Sequence, residues 1–471
     1  MGSASLRWPA LAAAALLAGC ATADIEQAVA DTNRSAGDFT QGRLELSRTG
    51  EQQQRRAAEV AQLLARPLSM DDAVRVALAN SPAVQALLAD AWSGMADAAQ
   101  AGRIANPVFA FERLRSGSEL EIGRLLSIGL VDLLTLPRRQ AIAGNQLEQA
   151  RVQLGAAVVD QVSQVRQAWV RAVAARQSLA YARQVDESAA ASAELARRMQ
   201  QVGNFSKLQR ARQQAFHADA AAQLATAAHA ATATREALVR LLGLDDEQAA
   251  ALQLPERLPD LPPQPRPVQA ITAEALQQRL DVQLARLQLQ GAGQAQGLDL
   301  LTGLVDVELG ARRDTHFDAG TRSTARGYEV EIRLPLFDAG QVRRAGLDAR
   351  SLAAAGRYDA AARAAASQLR ESYSAYRTAY DLARHYREEV VPLRKAISDE
   401  NLLRYNGMLI GVFDLLADHR EQIAAVLAAI EAQQQFWLAD AALASALVGR
   451  PTSLAPAAPG GSRSSGAAAA H

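Results

Sequence analysis

The sequence predicts a mostly α-helical chain with a β-barrel contribution, built from a duplicated unit of helix, strand, strand, long helix and helix. Three observations predict it. Apolar residues make up 49% of the 471 but aromatics only 4%, so alanine carries much of the apolar fraction. Alanine has the highest helix propensity and little bulk, which suits long, closely packed helices. Landmarks recur at a nearly constant offset: Gly203 with Gly407, and Leu241-Leu242-Gly243 with Leu447-Val448-Gly449, roughly 205 residues apart. Finally, segments of strict apolar-polar alternation sit between the helical stretches of both halves.

The elements follow in order. Ser69-Met70-Asp71-Asp72 reads as a helix start, with acids in the first turn, and apolar spacing continues towards Ala101. Asn106-Pro107 breaks the chain, and alternation follows around Phe109 and Phe111 and around Ile128 and Leu130. A very long helix is predicted from near Pro137 to about Gln200. Gly203-Asn204 interrupts it, and a second helix runs to Gly243. After the Pro-rich stretch Pro255–Pro267 the order repeats. A helix is expected over about Thr272–Leu300, strands over Leu304–Arg313 and Gly327–Leu336, a breaker at Asp338-Ala339-Gly340, and a long helix to about Tyr405. Asn406-Gly407 breaks that helix before a final one.

The strands read as a wall with two unlike sides. Tyr328, Val330, Ile332 and Leu334 take one face and Glu329, Glu331 and Arg333 the other; Val305, Val307 and Leu309 oppose Asp306 and Glu308. Lipid outside and water inside would produce this pattern, and so would a soluble amphipathic sheet packed on a helix. Strands of about 10 residues suit a tilted membrane span. Four strands cannot close a barrel whose smallest bacterial form has eight, so the barrel reading requires several copies.

The long helices carry a seam. Leu369, Tyr373, Tyr376, Tyr380 and Ala383 step by four and three, and Tyr386, Val390, Leu393 and Ile397 resume after a phase break. Val158, Val162, Val165, Trp169 and Ala172 do the same in the first half. Such spacing predicts coiled-coil pairing.

The N-terminus has the order of a secretory signal: Arg7, an apolar run Trp8–Leu17, then small residues. That run is shorter than the roughly 20 residues a bilayer span needs. Leu17-Ala18-Gly19-Cys20 resembles the bacterial lipobox, which makes Cys20, the one cysteine of the chain, the lipidated first residue of the mature protein. Ala21 follows it where retention at the inner membrane typically uses aspartate, which points to the outer membrane. Beyond Cys20 no apolar stretch is long enough for a transmembrane helix, which leaves a closed barrel as the spanning element.

No enzyme is expected. His217, His229, His316, His385, His419 and His471 have no metal-ligand spacing, and Gly291-Ala292-Gly293 lies in a helical pattern with no preceding strand. Fifty basic and fifty acidic residues cancel, giving nucleic-acid binding no support. No cofactor is expected beyond the covalent lipid on Cys20.

Several of these segments look familiar. Leu334-Pro335-Leu336-Phe337-Asp338-Ala339-Gly340 resembles the strand-to-helix signature PLFDxG of the TolC-like outer-membrane efflux family. Asn106-Pro107 before the first strand is similar to that family. So are the breaks at Gln201-Val202-Gly203-Asn204-Phe205 and Tyr405–Phe413, which match its helix-tip turns. The resemblance covers about Ser69–Arg450. It implies a homotrimer, each chain forming one third of a trimeric 12-stranded outer-membrane barrel plus a long periplasmic α-helical tunnel. The domains become 1–19 signal peptide, 20–68 lipidated segment, 69–254 and 272–450 efflux repeats, 255–271 Pro-rich linker and 451–471 disordered tail.

The resemblance also implies partners: a periplasmic adaptor protein and an inner-membrane pump, with the chain as passive exit duct in the outer membrane, extending into the periplasm. Asp414 and Asp418, one helical turn apart, become candidates for a periplasmic gate, where threefold symmetry makes each a carboxylate ring. Otherwise they are exposed or paired with Arg404 or Arg420. Val202, Gly203, Asn204, Asn406, Gly407, Met408 and Leu409 are candidates for docking the adaptor, or plain turn residues. Two other classes remain, a periplasmic adaptor and a lipid-anchored coiled-coil rod without a pore.

Overall fold

The computed structural model describes residues 24–117, 119–267, 278–302, 306–318, 321–333, 337 and 340–451. Cys20, the expected signal peptide, Leu304, Val305, Leu334–Leu336, Asp338, Ala339, residues 268–277 of the second-repeat start and the tail from 452 lie outside them.

In chain order the elements are α1 (Ile25–Ser35), α2 (Gly37–Thr40), α3 (Gly50–Leu64), α4 (Met70–Asn80), α5 (Pro82–Ala101), β1 (Val108–Ser116), β2 (Glu119–Gly129), α6 (Leu130–Gln201), α7 (Lys207–Leu242), α8 (Asp246–Ala251), α9 (Leu280–Thr302), β3 (Asp306–Asp318), β4 (Thr321–Arg333), α10 (Gln341–His385), a π-turn (Tyr386–Val390), α11 (Val391–Asn406) and α12 (Val412–Val448). The duplicated order expected from the sequence is therefore present: helix, two strands, long helix, helix, twice. α6 alone has 72 residues, about 110 Å of helix at 1.5 Å per residue.

The chain divides into two compact units. One holds Leu87–Gly155 and Leu280–Arg363 with the segment ending at Thr32; the other holds Asn33–Ala86, Ala156–Arg279 and the chain from Ala364.

The first unit contains the sheet. Its strands lie in the order β1-β2-β3-β4, each antiparallel to the next. The middle pair therefore joins the two halves of the sequence repeat. α6 follows β2 directly at Leu130 and encloses Pro137, the residue expected to open it. The proline deprives the Leu133 carbonyl of its helical partner and crowds it, while the Thr135 hydroxyl bonds back to the Val131 carbonyl at 2.7 Å. β3 and β4 also reach further towards their turn than the alternation predicted, through Asp318 and from Thr321. The added stretch is mostly polar and lacks strict apolar-polar alternation, so periodicity could not mark it, but its backbone pairing continues through Thr315 opposite Thr324 and Phe317 opposite Arg322. Gly291 lies within α9, where a Cβ would stand 2.9 Å from Asn145 Oδ1. It serves close helix packing, and Gln149 beside it donates to the Leu287 carbonyl at 3.3 Å.

The second unit holds the aromatic core. α4 starts as expected, with the Ser69 hydroxyl accepting from the Asp72 amide at 3.1 Å. It stops at Asn80 because Pro82 disfavours helix at Ser81, so the single expected helix becomes α4 and α5. Of the segment 20–68, expected only as a lipidated leader, α2 and α3 lie in this unit with Leu44, Val60 and Leu64 buried, while most of α1, with buried Ile25 and Ala28, belongs to the first unit.

The first-half seam is buried, with Val158, Val162, Val165, Trp169 and Ala172 in α6, and so is the α10 seam at Leu369, Tyr376, Tyr380 and Ala383, with Tyr373 half-buried beside them. Phe436 of α12 packs against Tyr376 and Tyr380 with ring centroids 5.6 and 5.7 Å apart. The Pro-rich stretch is strapped onto this core. Tyr380 donates to the Pro262 carbonyl at 3.0 Å, Trp437 to Pro259 at 3.0 Å and Tyr373 to Arg266 at 3.2 Å. The phase break in the α10 seam falls at the π-turn, and beyond it Leu393 is exposed.

Candidate functional site

Pairing register assigns every strand side chain to a face, because residues directly opposite one another point the same way. On one face lie Val307 and Ile332, then Ile128, Leu309 and Val330, then Phe109, Leu126, Ala311 and Tyr328. Nearly all are exposed, Tyr328 to 83%. The next row towards the turns is Phe111, Arg124, Arg313 and Arg326; beyond it the same face carries Arg113, Arg115 and Arg322 among Ile122, Leu120, Phe317, Thr315 and Thr324. No carboxylate shares this face among the described strand residues.

The opposite face carries Glu112, Glu119, Glu121, Glu308, Asp314, Asp318, Glu329 and Glu331, with Arg312, Arg333 and His316 as its bases. Arg312 pairs with Asp314 at 2.9 Å and Glu329 at 3.1 Å, and His316 stands 3.7 Å from Glu121. Glu308 and Glu331 face each other directly, an arrangement that only water or a counter-ion makes tolerable. β1 and β4 are edge strands with unpaired backbone groups along their outer sides.

The helix tips belong to the second unit. α6 ends in a left-handed residue, Gly203 at φ +84, where the Asn204 and Phe205 amides return to the Met199 carbonyl at 2.8 and 3.2 Å. Val202 is exposed and Phe205 buried, and Ser206 caps α7 through a capping box with Gln209. At the second tip Gly407 has φ −78, and the left-handed residue is its neighbour Met408 at φ +59. The tips therefore correspond one residue out of the register that matched glycine with glycine. Asn406 ends α11, and Met408 and Leu409 are exposed to 93% and 78%.

Asp414 and Asp418 have different surroundings. Asp414 is exposed and accepts from the Gly411 amide at 3.2 Å, closing the start of α12. Asp418 is buried, and its Oδ2 has no hydrogen-bond partner among the described residues. Neither pairs with Arg404, which binds Glu400 at 2.9 Å, or with Arg420, which donates to Gln213 at 3.2 Å and lies over the Phe216 ring. Next to Asp418, His419 Nε2 is 3.3 Å from the Ser188 hydroxyl.

Among the described residues no group of three His, Cys, Asp or Glu could hold a metal ion, and no helix is long and apolar enough to cross a membrane. The arginine rows escaped the reading of the sequence. Arg113 with Arg115, and Arg322 with Arg326, repeat at even spacing, which is the signal that could have shown them on one side of a strand.

No family model and no curated protein matches the sequence. Solved structures do match. The outer membrane protein VceC of Vibrio cholerae superposes with a TM-score of 0.67 at 19% identity, over 84% of this chain and 98% of that one. The chain has the fold of an outer-membrane channel. The CmeC channel of Campylobacter jejuni gives 0.67 at 15% identity over 84% and 86% of the two chains. A membrane protein from Pseudomonas aeruginosa gives 0.65 at 22% over 83% and 93%. The resemblance first read from the strand-to-helix segment and the two tips is thus borne out in the fold. The four-stranded sheet and the paired long helices belong to that channel fold.

Proposed function

We propose that the chain is the exit duct of a tripartite efflux or secretion system, a passive outer-membrane channel. The observation that carries the reading is the partition of the sheet: one face free of carboxylates among the described residues and apolar in the rows away from the hairpin turns, the other lined with carboxylates, between two open edges. In a bilayer the carboxylate face cannot meet lipid, so it lines water, and the apolar face is the outer wall. The open edges close only against other copies. Three chains supply twelve strands from four each, above the eight that the smallest barrels use. A rod without a pore would have no use for such a sheet.

The remaining assignments follow from this reading. The protruding apolar side chains Val202, Met408 and Leu409, beside Gly203, Asn204, Asn406 and Gly407, form the surface for a periplasmic adaptor, through which an inner-membrane pump delivers cargo. Asp414 and Asp418 form the periplasmic gate. Cys20 carries the lipid, so wild-type N-terminal peptide should bear acyl mass and Cys20→Ala should not.

The test of the duct is single-channel recording of purified protein in a planar bilayer. Discrete conductance steps with cation preference are expected from the carboxylate lining. Protein that inserts but conducts nothing overturns the proposal.

A further inference from the structure

The arginines of the outer sheet face have no task in a passive duct. Arg113, Arg115, Arg313, Arg322 and Arg326 are exposed and Arg124 is half-buried. None makes an ion pair among the described residues, although the opposite face of the same strands is rich in carboxylates. Arg322 lies over the Phe317 ring, 5.7 Å from its centroid, which keeps its guanidinium on this face.

Their position along the strands is informative. The row Arg124, Arg313 and Arg326 comes immediately after the row Phe109, Leu126, Ala311 and Tyr328, about 7 Å further along at 3.4 Å per residue. An arginine on the lipid face of a barrel is strongly unfavourable at the bilayer midplane and nearly neutral at its edge. Aromatic side chains collect at that same edge. Phe109, Phe111 and Tyr328 therefore mark the boundary of the hydrocarbon, and the arginines stand in the headgroup layer on the side of the hairpin turns. Beneath them Leu126, Ile128, Leu309 and Tyr328 line a shallow, mostly apolar groove of about 390 Å³.

We propose that this arginine belt is a binding site for phosphate-bearing membrane lipid, guanidinium groups holding the phosphate and the groove below it an acyl chain. Guanidinium binds phosphate through paired N–H donors in a fixed plane, and the absence of carboxylates on this face leaves those donors free. Two chemistries in the order a lipid presents them, charge above and hydrocarbon below, select a lipid over a free anion. The inference rests on the reading of this face as the outer wall.

The test uses full-length protein in uncharged detergent, titrated with phosphatidic acid, with diacylglycerol of the same chains, and with inorganic phosphate. Bound lipid is read by native mass spectrometry and the melting midpoint by circular dichroism. Phosphatidic acid should remain bound and raise the midpoint, and the other two should do neither. Arg124→Gln, Arg313→Gln and Arg326→Gln together should weaken phosphatidic acid binding at least tenfold, and Arg377→Gln on an exposed stretch of α10 should not. If the triple glutamine variant does not fold, the corresponding triple lysine variant should bind a few-fold more weakly, because charge survives but the paired donors do not. Equal binding of diacylglycerol, an equal response to inorganic phosphate, or unaltered binding by the triple variants overturns the belt. Conductance separates this result from the duct: normal pores with unaltered lipid binding sink the belt alone, and selective lipid binding without pores sinks the duct alone.

Discussion

The Asn80 side chain donates to the Gly243 carbonyl at 2.8 Å, tying the end of α4 to the end of α7. Its amide also donates to Gln248 Oε1 at 3.1 Å. Gly243 is left-handed at φ +67, and a Cβ there would stand 2.5 Å from Pro82 Cδ and 2.7 Å from Ser81 Cα. Gly243→Ala meets both the left-handed penalty, about 1–2 kcal/mol, and rigid neighbours. Gly203, at φ +84, has nothing within 4 Å of such a Cβ, so its alanine variant meets the first cost alone. Thermal unfolding followed by circular dichroism should rank Gly243→Ala clearly below Gly203→Ala. Equal midpoints would show that the contact with Pro82 yields easily.

Met408 separates local stability from docking. Its left-handed backbone is strained for a side chain, so Met408→Gly should stabilise the tip by about 1 kcal/mol. If the tip docks an adaptor, the same change removes an almost fully exposed apolar side chain and should weaken capture of the adaptor's helical hairpin. Stability and binding must move in opposite directions. Stronger or unchanged capture would leave Met408 as a turn residue only.

Closure by three copies can be tested chemically. Cross-linking of detergent-extracted protein should stop at three chains, because β1 and β4 leave open edges. A well-behaved monomer with its full strand signal contradicts the shared barrel.

The two gate candidates predict separable effects. Asp414 caps α12 from an exposed position, whereas Asp418 is buried with an unpartnered oxygen. Replacing both by alanine should reduce cation preference in planar-bilayer recordings, and Asp414→Ala alone should also loosen the first turn of α12 by about 0.5–1 kcal/mol. Unchanged selectivity and resting conductance in the double variant would place the gate elsewhere.

Asp440 makes stability depend on pH. Burial pushes its carboxyl above the ordinary range, against the pull of Arg266 and Arg166, even though Arg266 holds it through two contacts of 2.9 and 3.1 Å. A raised native pKa means that the folded state binds the proton more tightly than the unfolded chain. This contribution is complete below the unfolded value, about 3.9, and is lost as pH rises through the native one. The melting midpoint of the wild type relative to Asp440→Asn should therefore fall across that window. A rising difference would show that the pair with Arg266 dominates.

The sequence alone determined the duplicated order, the two buried seams and the unlike faces of the strands. Each depends on a period of side chains along one element, at Tyr376 and Tyr380 or at Val330 and Ile332, and periodicity is a property of adjacent residues. The capping start at Ser69 was legible for the same reason. Tertiary structure decided what local pattern cannot encode. Pairing of β2 with β3 placed Arg124 beside Arg313, from segments almost two hundred residues apart in the chain, and so assembled the arginine belt from residues that are isolated in sequence. The Pro-rich stretch read as a linker because proline breaks helices, but hydroxyls from Tyr373 and Tyr380 bind it to the core. Asp414 and Asp418 shared a face by spacing, and only helix packing exposed one and buried the other.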